Sequence, residues 1–208
     1  MALPDHFEFD LADNATTMWQ LLTGHNTEDL TETQRQVDVI LDGIPQGTRA
    51  LEIGAGIGRL MREIDARSRF DKLFGVDSSN SMTMVGKRYP FDCLDTKLEL
   101  SDGLRLPYAD GWFDFVYSFT TFQHMLTRAI VHRNLTETYR VLRPGGVARI
   151  QTVASGPDRD PRDTELFDGR VFRDGEEFWR EFEQLGFERV AVDVGLTHPE
   201  HIWVTATK

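Results

Sequence analysis

Three acidic residues in this sequence stand at the ends of apolar segments: Glu52 in LEIGAGIGRL (51–60), Asp77 closing KLFGVD, and Asp102 in SDG. Glu52 runs directly into glycines at 54, 56 and 58. A dinucleotide-binding turn spaces its glycines G-x-G-x-x-G and offers a helix N-terminus to a pyrophosphate. Here Arg59 stands where the last glycine would fall, and Glu52 would repel a phosphate but attract an ammonium. Asp77 lies about 20 residues past the turn, where an acid typically accepts both hydroxyls of a ribose. Asp102 is placed to accept from an exocyclic amine such as that of adenine. Three acids around one pocket suit a nucleoside carrying an ammonium rather than a phosphate.

Strands and helices must bring these acids together. A helix capped by Thr31, with Val37, Ile40, Leu41 and Ile44 on its apolar face, is expected to end at Pro45 and Gly47. Strands are expected over Arg49–Ala55, Lys72–Asp77, Lys97–Ser101, Phe113–Phe119 and Val147–Val153, with Glu188–Val194 and Ile202–Thr207 closing as a hairpin. Helices should cover Gly58–Ala66, the stretch through Met82 and Val85, and the stretch through Val131, Leu135, Thr138 and Leu142, stopped by Pro144-Gly145-Gly146. Asp174 and Glu177 form a capping box for a helix burying Phe178, Phe182 and Leu185. Alternation of this kind predicts an α/β, Rossmann-like, doubly wound and mostly parallel seven-stranded sheet with a C-terminal antiparallel hairpin and helices on both faces. Ligands of such sheets bind beyond the carboxyl ends of the strands. All three acids fall there, which points to S-adenosylmethionine.

LEIGAGIGRL, GVDSSNSM, SDGLRLPYADGWFDFVYSFTTFQHM and VLRPGG, in that order and separation, resemble the class I S-adenosylmethionine-dependent methyltransferases, small-molecule branch, over about Arg49 to Val153. The resemblance implies that Gly54, Ala55 and Gly56 line the methionine end of S-adenosyl-L-methionine. It implies that Asp77 holds the ribose, Met82 packs on adenine, and Asp102 with Gly103 reads its amino edge. Glu52, Gly58, Ser78, Ser101 and Ser118 complete the expected cofactor contacts. YSFTTF departs from the N/D-P-P-[YF] signature of enzymes that methylate amino groups of DNA and protein glutamine, and no clustered trio of acids marks a magnesium site.

Methyl transfer from a sulfonium is an in-line displacement that needs alignment and exclusion of water. His124 is the candidate general base for a hydroxyl or protonated amine nucleophile. Trp19, Phe119 and Phe122 are the expected aromatic walls of the acceptor site, with residues 1–30 as a lid and 154–174 as a substrate-side loop. Residues 31–153 are the cofactor-binding core and 175–208 the closing helix and hairpin of one domain. Blander roles stand beside these: a tight βα turn for the glycines, helix caps for Asp77 and Asp102, a structural histidine at 124. His198 and His201 (HPEH) are expected at the surface, without a third ligand for a metal.

Composition sets the remaining bounds. The 208 residues suit one domain with a full core. A lone cysteine, Cys93, excludes an internal disulfide and a cysteine-based zinc site. A net charge of −11 without a basic patch disfavours nucleic acid. No apolar run approaches a membrane span, and the acidic start MALPDHFEFD lacks a signal pattern, so a cytoplasmic monomer or homodimer acting on a small-molecule acceptor is expected. A nicotinamide-dependent oxidoreductase and a non-catalytic cofactor-binding module are the alternatives.

Overall fold

The computed structural model describes residues 31–88, 95–155 and 171–208. The expected lid over residues 1–30 with Trp19, the lone Cys93 and most of the 154–174 loop lie outside them. Among the described residues the strands are β1 (Gly47–Ile53), β2 (Phe70–Asp77), β3 (Lys97–Leu100), β4 (Phe113–Ser118), β5 (Leu142–Val153), β6 (Glu188–Val194) and β7 (His201–Thr207). They form one sheet in the order β3-β2-β1-β4-β5-β7-β6. Strands β1 to β5 pair in parallel, whereas β7 runs antiparallel to both β5 and β6. The expected architecture is therefore present. Chain order reverses between β1 and β4, and a crevice beyond the carboxyl ends of the strands belongs at that point.

Helices α1 (Thr31–Leu41) and α2 (Arg59–Ala66) cover one face, α4 (Arg128–Val141) and α5 (Gly175–Gln184) the other. Side chains alternate across a strand, so β1 sends Ala50 towards Val37, Ile40 and Ile64, and Leu51 and Ile53 towards Val131, Leu135 and Phe178. Each such fully buried aliphatic chain contributes about 1.5–3 kcal/mol. The short α3 (Asn80–Gly86) follows β2, capped by Ser79, whose hydroxyl accepts from Met82 N.

Several boundaries differ from expectation. Strand β1 stops at Ile53, and the N–H groups of Gly54 and Ala55 both turn to Val76 O. Helix α4 ends at Val141 rather than at Pro144, because Leu142 turns extended (ψ 136°) and pairs with Phe113. Pro144-Gly145-Gly146 then occupies the irregular start of β5, where the register slips before Phe115 meets Val147. The capping box is half formed: Asp174 accepts from Glu177 N, but the Glu177 carboxylate accepts from Arg173 N. No helix among the described residues is long and apolar enough to cross a membrane.

Candidate functional site

The turn after β1 is held by the end of β2. Asp77 Oδ2 accepts from Gly56 N at 2.7 Å, and Asp77 Oδ1 from Ser79 N at 2.8 Å. Burial raises the pKa of this carboxyl, and the backbone donors of Ser79, Gly56 and Ser78 pull against that. An ionised carboxylate has about four acceptor positions, so lone pairs remain for further donors. Gly54 N, Ala55 N, Gly56 N and Gly58 N all donate within the protein, which leaves this turn no nest of free donors for a pyrophosphate. Arg62 fixes the turn against α3 by donating to Ile57 O and Gly86 O.

Gly54, Gly56 and Gly58 all adopt positive φ (76°, 56° and 78°). Two of them differ in what a side chain would meet. A Cβ on Gly54 would fall 2.6 Å from the Thr121 Cβ and closer still to its Oγ1 and Cγ2. A Cβ on Gly56 would meet nothing within 4 Å, so that Cα faces open space beside Asp77.

Beyond β3, Ser101 N donates to Asp77 O, tying the third acid's loop to the second. Asp102 Oδ1 accepts from Leu104 N and Arg105 N, both at 2.8 Å; those of Arg105 and Leu104 hold its pKa below the ordinary carboxylate value. The loop is anchored to α4. Asn134 Nδ2 donates to Gly103 O, Leu106 N donates to Glu137, and Arg140 donates to Tyr108 O and Leu106 O. Asp102 and Ser78 are exposed, and a Cβ on Gly103 would lie 3.6 Å from the Ser78 Cβ. Met82 is half-buried against Ile57 and Val85.

Four expected contacts are placed differently. Glu52 does not face open space. It is 2% exposed, accepts from Tyr117 Oη at 3.0 Å, and receives Met61 N at the start of α2, which has no side-chain cap of its own. Burial pushes its pKa up to about 8, against the pull of Tyr117 and Arg59. Ser118 is fully buried and donates to Ile53 O, joining β4 to β1. Phe122 is a core ring against Phe178, and Phe119 stacks on Trp203; neither forms a wall. An apolar residue after a central strand packs inward as readily as it lines a cleft, which is why sequence alone misplaces them.

The segment after β4 carries groups that the sequence reading passed over. Thr120 is β-branched yet has φ 54°, a left-handed conformation costing about 1–2 kcal/mol. It is held by Gln151, whose Oε1 accepts from Thr120 N at 2.7 Å while Nε2 donates to Gln123 Oε1 and Thr152 O. A fully buried glutamine within the apolar run of β5 was the available signal. His124 ends a single 3-10 turn (Phe122–His124) and is exposed, its Nε2 3.5 Å from Gln123 Nε2. His201 is half-buried rather than solvated, at the same end of the sheet.

Residues 51–150 match the family model described as a methyltransferase domain. The chain is 31% identical over 126 residues to 2-methyl-6-phytyl-1,4-hydroquinone methyltransferase of Synechocystis sp., covering 61% of this chain and 37% of that one. It is 38% identical over 105 residues to demethylmenaquinone methyltransferase of Symbiobacterium thermophilum, covering 48% and 40%. The chain thus spans about two fifths of the length of these relatives. Its fold matches the crystal structure of a SAM dependent methyltransferase from Aquifex aeolicus with a TM-score of 0.66, at 17% identity over 93% of this chain and 98% of that one.

Proposed function

Because the chain belongs to the class I S-adenosylmethionine-dependent methyltransferases, we propose that it transfers a methyl group to an O, N or C atom of a small-molecule acceptor. The observation that carries the reading is the Asp77 clasp: a half-buried carboxylate with lone pairs to spare, beside the open Cα face of Gly56. In this reading Asp77 holds the ribose hydroxyls, the Asp102–Gly103 loop meets the adenine edge, Met82 packs on the base, and the glycine turn flanks the methionine end. When bound, S-adenosyl-L-methionine supplies a methyl group on a positively charged sulfur. The work of the protein is then alignment at about 3–3.5 Å and exclusion of water. The Gln151–Thr120 bond and the Thr121–Gly54 contact keep the acceptor-side segment in fixed register with the cofactor turn. His124, exposed just past this segment, is the proposed base where the nucleophile carries a proton.

Small-molecule acceptors are supported by relatives named for methylating a hydroquinone and demethylmenaquinone, and by a charge of −11 that disfavours polyanions. The proposal takes the protein as cytoplasmic, and as a monomer or homodimer. Calorimetry with S-adenosylhomocysteine and with NADH separates a methyltransferase from an oxidoreductase. Transfer of labelled methyl to 1,4-naphthohydroquinone, against a panel of amines and phenols, then separates an enzyme from a binding module. Binding of NADH without S-adenosylhomocysteine would overturn the reading.

A further inference from the structure

His201 is the first residue of β7, and β7 is antiparallel, so it stands at the carboxyl end of the parallel strands, opposite Val153 of β5. Directly paired residues share a face, so His201 lies with Val153 two positions beyond the Gln151–Trp203 pair. Its ring packs T-shaped against Phe119 (centroids 5.7 Å), and Phe119 stacks on Trp203. Phe119 leads directly into Thr120 and Thr121, the residues held by Gln151 and pressed against Gly54. Among the described residues, this short segment links the His201 ring to the cofactor turn.

A hydrogen-bond relay fixes the imidazole. Trp203 Nε1 donates to Thr197 Oγ1 at 3.2 Å, and Thr197 Oγ1 lies 2.6 Å from His201 Nδ1. An indole N–H only donates, so the threonine oxygen accepts there, and its own proton is left to be donated to His201 Nδ1. A neutral imidazole accepting at Nδ1 carries its proton on Nε2. Nε2 has no partner among the described residues. Arg35 Nη2 donates to Thr197 O and holds the β6–β7 turn on α1. Burial, with His198 nearby and Glu200 opposing, lowers the His201 pKa to about 4, so the ring is a neutral donor at physiological pH.

We propose that His201 is an acceptor-side binding residue whose Nε2–H holds an oxygen of the methyl acceptor, with phenol as its simplest probe. A neutral N–H selects an oxygen lone pair over an ammonium. The inference rests on the methyltransferase reading, and its test keeps the two apart.

The protein, labelled with 15N-histidine and saturated with S-adenosylhomocysteine, is followed by long-range proton–nitrogen spectra, with His201 assigned by signal loss in His201→Asn. The expected result is a neutral Nε2–H tautomer at pH 6.5 and movement of the His201 signals on addition of phenol. His201→Phe should weaken phenol binding about tenfold, the worth of one hydrogen bond, and leave S-adenosylhomocysteine affinity within about twofold. Thr197→Val should lose the tautomer preference and weaken phenol binding in the same direction, which serves where His201→Phe fails to fold. An Nδ1–H tautomer, or His201 signals indifferent to phenol while S-adenosylhomocysteine binds, would overturn the inference alone. Failure of S-adenosylhomocysteine to bind would instead overturn the cofactor reading.

Discussion

The contact between Gly54 and Thr121 joins segments 67 positions apart, and its energetic weight can be separated from that of the backbone. Gly54→Ala carries two costs. The left-handed φ of 76° penalises any Cβ by about 1–2 kcal/mol. The new methyl would also lie 2.6 Å from the Thr121 Cβ, an overpacking cost of about 1–3 kcal/mol. Thr121→Gly removes the second cost and leaves the first untouched. The four proteins of the double-mutant cycle, unfolded in urea, should therefore show a favourable coupling of about 1–3 kcal/mol. Calorimetry with S-adenosylhomocysteine on the same set should find Gly54→Ala weakened by more than tenfold and partly restored in the double variant. Additivity within about 0.5 kcal/mol would refute the reasoning, since it would mean the turn and the post-β4 segment relax independently.

Three further outcomes are expected. The folded-state pKa of Glu52, about 8 against an ordinary 4.5, means that its contribution to stability is complete below pH 4.5 and lost as pH rises through 8. Thermal melts of the wild type should then fall between pH 5 and 8 relative to Glu52→Gln, by up to ~1.4 kcal/mol per pH unit, and parallel curves would contradict a protonated Glu52. Gly56→Ala meets no atom within 4 Å, so it should cost only about 1–2 kcal/mol of stability through its φ, yet weaken S-adenosylhomocysteine binding at least tenfold in calorimetry; unchanged affinity would place the cofactor elsewhere. Asp77→Asn turns an amide N–H₂ towards either Gly56 N or Ser79 N, so roughly 1.5–3 kcal/mol should be lost in denaturant melts together with cofactor affinity.

Periodicity made the parallel half of the fold legible. The runs ending at Ile53, Asp77 and Ser118 carry the β-rich apolar character that specifies buried strands, and two of the acids, Glu52 and Asp77, stand at the ends of the first two. The types of residue at the site were legible for the same reason, but their partners were not. Glu52 looks like a ligand group in sequence, because nothing local shows that Tyr117 and the start of α2 enclose it. The anchoring of the Asp102 loop by Asn134, Glu137 and Arg140 spans about 30 residues and leaves no periodic trace. His201 was misplaced through topology: a hairpin drawn at the chain's end reads as surface, whereas insertion of β7 between β5 and β6 carries its first residue to the functional edge. Aromatic residues near the cleft were misjudged because side-chain direction after a strand depends on a turn that the sequence does not spell out.

The position of β7 also bears on the order in which the molecule is made. Strand β6 leaves the ribosome before β7 but pairs with no other strand, so it has no place in the sheet until residues 201–207 follow. A nascent chain extending to about residue 155 already holds β1 to β5, α4 and all three acids, while the outer edge of β5 stands open from Val147 to Val153. Open strand edges are where unfinished chains pair with the wrong neighbour. The half that would grip the nucleoside can thus take shape during translation, whereas the half that would meet the acceptor waits for the last strand to slide into place.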